Sequence, residues 1–160
     1  MTTEQITINA MTAESTFNLG IELGSVCRGG ELIALNGELG AGKTWLAKGI
    51  GKGLLITEPI HSPTFTLINE YHGRISMVHV DFYRLNYVDE VYNLGLDEYQ
   101  DHGHVVVIEW ADKFASALPP DYLHIQITSP GDDSRQLKVT QAGNSCGHLF
   151  QALKRIKGTP

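Results

Sequence analysis

Leu32-Ile33-Ala34-Leu35-Asn36-Gly37-Glu38-Leu39-Gly40-Ala41-Gly42-Lys43-Thr44 joins a continuously apolar run to a glycine-rich segment ending in Lys-Thr. A short apolar run without alternation predicts a strand buried on both faces, here over Glu31–Asn36. Gly37 to Thr44 satisfies the pattern Gly-x-x-x-x-Gly-Lys-[Ser/Thr] in full, and a helix from about Gly42 to Lys52 is expected to follow it. A strand, a glycine loop and a helix in that order are what phosphate binding by a loop requires.

The chemistry follows from the residue types. Glycines open backbone conformations closed to residues with a Cβ and let amide N–H groups approach phosphate oxygens. The helix start adds unsatisfied N–H groups and the positive end of its dipole. Glu38, Leu39, Gly40, Ala41 and Gly42 would cradle phosphates. Lys43 would place a cation on the β and γ phosphates, and the Thr44 hydroxyl would ligate Mg²⁺. A glycine-rich turn before a helix would not by itself need Lys and Thr together. Guanine-reading proteins typically carry Asn/Thr-Lys-x-Asp, which the nearest string, Ala111-Asp112-Lys113-Phe114, does not match. ATP, with its product ADP, is therefore the expected nucleotide.

Such a loop needs a further oxygen ligand for the metal, usually a carboxylate ending a buried strand. Asp81 follows Met77-Val78-His79-Val80, and Glu109 follows Val105-Val106-Val107-Ile108. Either is a candidate for the metal or for orienting the attacking water. Trp110, next in sequence, reads more readily as core than as a ligand platform. His61, His79, His102 and His104 match no metal-binding spacing, so surface or core roles are expected of them.

Around this centre the pattern is that of a mixed α/β domain, a single unit over 1–160 with its core about 5–156. A first strand is expected at Gln5–Asn9, then a helix capped by Thr12 and ended by Gly29-Gly30. Ile60–Glu70 and Ile75–Asp81 read as two strands joined at Tyr71–Arg74. Asn86 is placed to cap a helix through Glu90, Val91 and Leu94. His104–Glu109 reads as a second buried strand. Tyr122–Thr128 and Arg135–Thr140 alternate as a half-exposed hairpin would, and Cys146, Leu149, Phe150, Leu153 and Ile156 recur at helical spacing. The expected sheet is mixed rather than purely parallel, flanked by helices, as in P-loop NTPases.

Composition narrows the function. The formal charge is −6, with five arginines among 160 residues, a poor endowment for gripping a nucleic-acid backbone unaided. The apolar runs are too short to span a bilayer, and Met1–Ala10 shows no secretory pattern. Cys27 and Cys146 form no Cys-x-x-Cys pair and no disulfide scaffold. A cytoplasmic location is expected. A phosphotransferase is a competing reading, but such enzymes usually cluster arginines on a lid. A nucleotide-switched binding module is a third.

Four strings, Gly37–Thr44, His61-Ser62-Pro63-Thr64-Phe65-Thr66-Leu67, His79-Val80-Asp81-Phe82-Tyr83-Arg84-Leu85 and Val107-Ile108-Glu109-Trp110, occur in this order. Together they closely resemble the bacterial ATPase family TsaE, also called YjeE, from about Thr12 to Leu153. The resemblance implies a role in making threonylcarbamoyladenosine at position 37 of tRNA, in concert with TsaB and TsaD. The chain would then meet tRNA only through that complex. It implies that Thr44 and Glu109 hold Mg²⁺ with Asp81 close by, and that 62–66 is a switch-like element near the γ-phosphate. It also implies an adenine site near Thr12–Thr16 and a late Gly-Arg element. Here that element reads Ser134-Arg135, which makes Arg135 the candidate contact. Trp45, where the family often has a small residue, would lie just beyond the phosphates. Ala111 stands where the family usually has Pro.

Overall fold

A computed structural model of the chain describes residues 4–38, 40–131 and 133–157. Its strands are β1 (Gln5–Ala10), β2 (Leu32–Asn36), β3 (Ile68–Tyr71), β4 (Met77–Asp81), β5 (Val105–Glu109), β6 (Tyr122–Thr128) and β7 (Arg135–Ala142). The helices are α1 (Ala13–Val26), α2 (Lys43–Gly53), α3 (Val88–Tyr92), α4 (Leu96–Asp101) and α5 (Gly147–Lys157), with a 3-10 helix at Ala111–Ala117.

One seven-stranded sheet runs in the order β1-β7-β6-β2-β5-β4-β3. Its centre is parallel: β2 pairs with β5 and β6, and β5 with β4. The outer pairings, β1 with β7, β7 with β6 and β3 with β4, are antiparallel. The sheet is mixed, as its strand patterns require. β2, β4 and β5 are buried at every residue, because helices cover both faces. β6 buries only Leu123, Ile125 and Ile127, every second residue.

Alternation divides the core in two. Ile33, Leu35, Met77, Val105 and Val107 pack with Leu23, Leu46, Ile50 and Phe150 from α1, α2 and α5. Leu32, Ala34, Val78, Val80, Val106 and Ile108 pack on the opposite face with Phe82, Leu85 and Val91. The first face is the one on which β2 hands over to α2.

The expected first strand, first helix, hairpin and final helix all form. Thr12 caps α1, its hydroxyl accepting from Ser15 N at 3.0 Å. Two expectations need correction. No strand runs through 60–67; only Ile68–Tyr71 pairs. Pro63 has no N–H to give a ladder, Leu67 takes a left-handed φ of 68°, and Leu67 N donates back to Pro63 O at 2.7 Å. The segment therefore arches instead of extending. The helix after Asn86 begins one residue later, with Tyr87 as N-cap. The Glu90 carboxylate accepts from both Asn86 N and Tyr87 N at 3.0 Å. It breaks before Gly95, whose left-handed φ starts α4.

α1 and α2 touch backbone to backbone. A Cβ on Gly49 would lie 2.1 Å from Phe17 O, and one on Gly20 2.4 Å from Leu46 O. This approach sets the start of α1 beside the loop end of α2. Gly49→Ala meets a carbonyl that has no rotamer to escape through. Its expected cost is about 3 kcal/mol, the upper range for overpacking, and a fall in Tm on the order of 10 °C. Thermal unfolding followed by circular dichroism checks it; an unchanged Tm would mean the helices separate without cost.

Candidate functional site

The glycine loop leaves β2 at Asn36 and enters α2 at Lys43. Gly40 and Gly42 hold φ of 81° and 106°, conformations that a Cβ would strain. Gly42 is the N-cap of α2 and offers no side chain to its first N–H groups, so these remain as donors for an anion.

Two cations hold the loop through its carbonyls. Lys43 Nζ donates to Gly37 O and, at 3.0 Å, to Glu38 O. From the start of β7, Arg135 Nε donates to Ala41 O at 2.8 Å and its terminal nitrogen to Gly40 O at 3.5 Å. Lys43 is 4% exposed and lies 4.1 Å from the centroid of Trp110. Burial lowers its proton affinity, opposed by the charges of Glu109 and Asp81. Leu39 lies outside the described residues.

Opposite the loop stand the two carboxylates. The parallel register sets Asp81 beside Glu109, and Glu109 beside Leu35 of β2. Both strand ends thus arrive where the loop begins. Thr44 Oγ1 is 3.1 Å from each oxygen of Glu109. The Asp81 carboxylate accepts from Thr64 Oγ1 at 3.0 Å and from Tyr83 N at 2.8 Å. Ser62 and Thr64 hydroxyls are 2.8 Å apart, so the arched 62–66 segment is tied to Asp81 across the site. A cavity of about 240 Å³ lies among Lys43, Thr44, Ser62, Thr64, Asp81 and Glu109. A larger groove of about 640 Å³ between β1, α1 and the end of α5 holds no such convergence.

Two tryptophans border this cavity. Trp110 is partly buried and packs against the second core cluster, as expected of it, and it also lines the cavity. It sits in a left-handed turn (φ 58°, ψ 36°) and supports Lys43, with Tyr83 5.0 Å away. Asn36 Oδ1 accepts from Asp112 N at 2.7 Å and fixes this turn. Trp45 donates its indole N–H to Ala13 O and packs 5.2 Å from Phe17, joining the loop helix to the start of α1. Arg84 lies 5.4 Å over the ring of Phe65, a residue 84% exposed.

One contact escaped the sequence reading. His79 is fully buried, and its Nε2 lies 2.6 Å from Glu109 Oε2. The only signal for it was a histidine two residues before Asp81 in an otherwise apolar strand. His102 and His104 take the expected local roles, each meeting a backbone carbonyl near the end of α4. Among the described residues no three His, Cys, Asp or Glu side chains form a metal cluster. A site of one hydroxyl and one or two carboxylates instead suits a hard cation that keeps several waters. Cys27 and Cys146 are free and buried, and burial pushes both thiols up. No helix among the described residues is long and apolar enough to cross a membrane.

The fold and site define an α/β protein with a mixed sheet and a glycine loop facing two acidic strand ends. A model of the family "Threonylcarbamoyl adenosine biosynthesis protein TsaE" matches residues 10–137. A tRNA threonylcarbamoyladenosine biosynthesis protein TsaE of Nostoc sp. is 47% identical over 151 residues, covering 88% of this chain and 92% of the relative. The protein of the same name from Bacillus subtilis is 38% identical over 153 residues, covering 95% and 96%. The crystal structure of Bacillus subtilis YdiB superposes with a TM-score of 0.83 at 33% identity, covering 97% of each chain. The chain belongs to the TsaE family, which acts in tRNA threonylcarbamoyladenosine biosynthesis.

Proposed function

We propose that this protein is a Mg²⁺-dependent ATPase that serves threonylcarbamoyladenosine formation at adenosine 37 of tRNA, working in the cytoplasm with TsaB and TsaD. The observation that carries this reading is the convergence of Lys43, Thr44, Asp81 and Glu109 on one cavity at the start of α2. Loop amides and the first N–H groups of α2 would receive the phosphates. Lys43 would exchange the Gly37 and Glu38 carbonyls for the β and γ phosphates. Thr44 and Glu109 would hold Mg²⁺, with Asp81 beside it. The metal would draw off charge developing on the phosphoryl oxygens. Trp45 and Arg135 border the loop on the side of the start of α1, where the resemblance puts adenine.

The isolated protein should be slow. Among the described residues no arginine lines the cavity; Arg84 lies over Phe65 and Arg135 donates to loop carbonyls. Transition-state charge in phosphoryl transfer is often stabilised by a residue supplied in trans, worth roughly 10³–10⁵ in rate for an arginine finger. Movement of the 62–66 arch over the γ-phosphate is the other route by which a partner could act. The net charge of −6 fits approach to tRNA through a complex. Steady-state ATP turnover, measured alone, with TsaD, with TsaB and with both, tests the reading. Stimulation by the pair is expected. A fast isolated enzyme indifferent to them would overturn partner activation, and a requirement for an added small acceptor would favour a phosphotransferase.

A further inference from the structure

His79 occupies a position where its neighbours are apolar. On β4 it follows Met77 on the face that also carries Asp81, and it pairs in register with Val107 of β5. Its exposure is nil. Among the described residues its Nδ1 has no hydrogen-bond partner, a penalty that an aliphatic residue in this core would avoid. What the imidazole does provide is Nε2, 2.6 Å from Glu109 Oε2. Against a carboxylate, which only accepts, Nε2 must carry the hydrogen. Such a charge-assisted contact is short and strong.

Glu109 is therefore held from two sides, by the Thr44 hydroxyl above and by His79 below. The two contacts are not equivalent. Thr44 has one proton to share between two oxygens at equal distance, and its hydroxyl would turn toward any cation that binds. His79 is fixed by packing and cannot turn away.

We propose that His79 is a positioning residue whose Nε2–H holds the Glu109 carboxylate in the rotamer that presents its other oxygen beside Thr44 to a divalent cation. The inference rests on the Mg²⁺–nucleotide reading above. Groups that orient a metal-binding side chain from behind commonly change metal affinity by roughly 10- to 100-fold when removed.

The test compares His79→Met with His79→Gln in the full chain. Both keep approximately the volume of the imidazole, but only Gln keeps a donor near the Nε2 position. Binding of a non-hydrolysable ATP analogue is measured by calorimetry in EDTA and in Mg²⁺, and Mn²⁺ binding to the analogue complex by electron paramagnetic resonance. His79→Met is expected to bind the analogue in EDTA within about twofold of the unchanged protein, yet to lose roughly tenfold or more of the affinity gained on adding metal. His79→Gln should retain most of that gain. If His79→Met does not fold, His79→Asn takes its place, since its shorter amide stops short of Glu109 and should show the same loss. Equal metal gains in the donor and donor-free variants would overturn the inference alone. An unchanged protein that gains nothing from metal would overturn the Mg²⁺ reading, and the inference with it.

Discussion

Lys43→Ala is expected to weaken ATP binding by roughly 30- to 1,000-fold while leaving the fold intact. Losing a desolvated charge contact costs on the order of 2–4 kcal/mol, and each 1.4 kcal/mol is a factor of about ten. Lys43 is the one cation among the cavity-lining side chains of the described residues, and it belongs to neither apolar cluster. The structure adds a reason for the effect to fall short of its upper limit. In the free protein the ammonium already meets Gly37 O, Glu38 O and the face of Trp110. Those contacts must be surrendered when phosphates arrive, so the net gain from Lys43 is smaller than its gross attraction. Titration calorimetry, with circular dichroism as a control for folding, checks the result; unchanged affinity in a folded variant would remove Lys43 from the site.

Glu109→Ala and Asp81→Ala are expected to cut ATP turnover by roughly 100-fold or more, the scale seen when one preorganised electrostatic contact to a transition state is lost. Nucleotide affinity without metal should change far less, because the loop amides and Lys43 remain. Loss of an interaction made chiefly in the transition state lowers kcat without a matching rise in KM. Glu109→Ala carries an added stability cost, since it strips the buried His79 of the one side-chain partner it has among the described residues; an unsatisfied buried group costs about 1–3 kcal/mol. Glu109→Gln avoids this by leaving an amide oxygen to accept from Nε2, and so separates chemistry from folding. Asp81→Ala should instead free Thr64 and the 62–66 arch. Turnover is measured with TsaB and TsaD present in Mg²⁺. Normal rates in both variants would mean that neither carboxylate serves the reaction.

Much of this architecture was legible before any coordinates. The glycine loop, the buried strands ahead of Asp81 and Glu109 and the hairpin of β6 and β7 are written in local patterns. Apolar runs, period-two alternation and turn residues act within a few positions of one another. The failures were local too, but in part with a tertiary cause. The 60–67 segment has strand-like composition, yet Asp81 N bonds to Leu67 O at 3.0 Å and Asp81 draws Thr64 inward. The arch thus combines the local causes at Pro63 and Leu67 with a side-chain contact from Thr64 to a carboxylate 17 residues away. Trp110 packs against the core as its residue type suggests, and the turn fixed by Asn36 in addition brings it beneath Lys43.

By itself the sequence determined the class of fold, the loop, its Lys43–Thr44 pair and two acidic strand ends, because each is a property of adjacent residues. Only the tertiary structure decided that β4 lies beside β5 in parallel, with Asp81 and Glu109 level and both facing the loop. It alone set Arg135 against Ala41, His79 under Glu109 and Trp45 on the start of α1. Strand order and register come from packing across large sequence separations. Such contacts leave no period in the chain, so a buried histidine that holds a carboxylate looks, in one dimension, like any histidine in a strand.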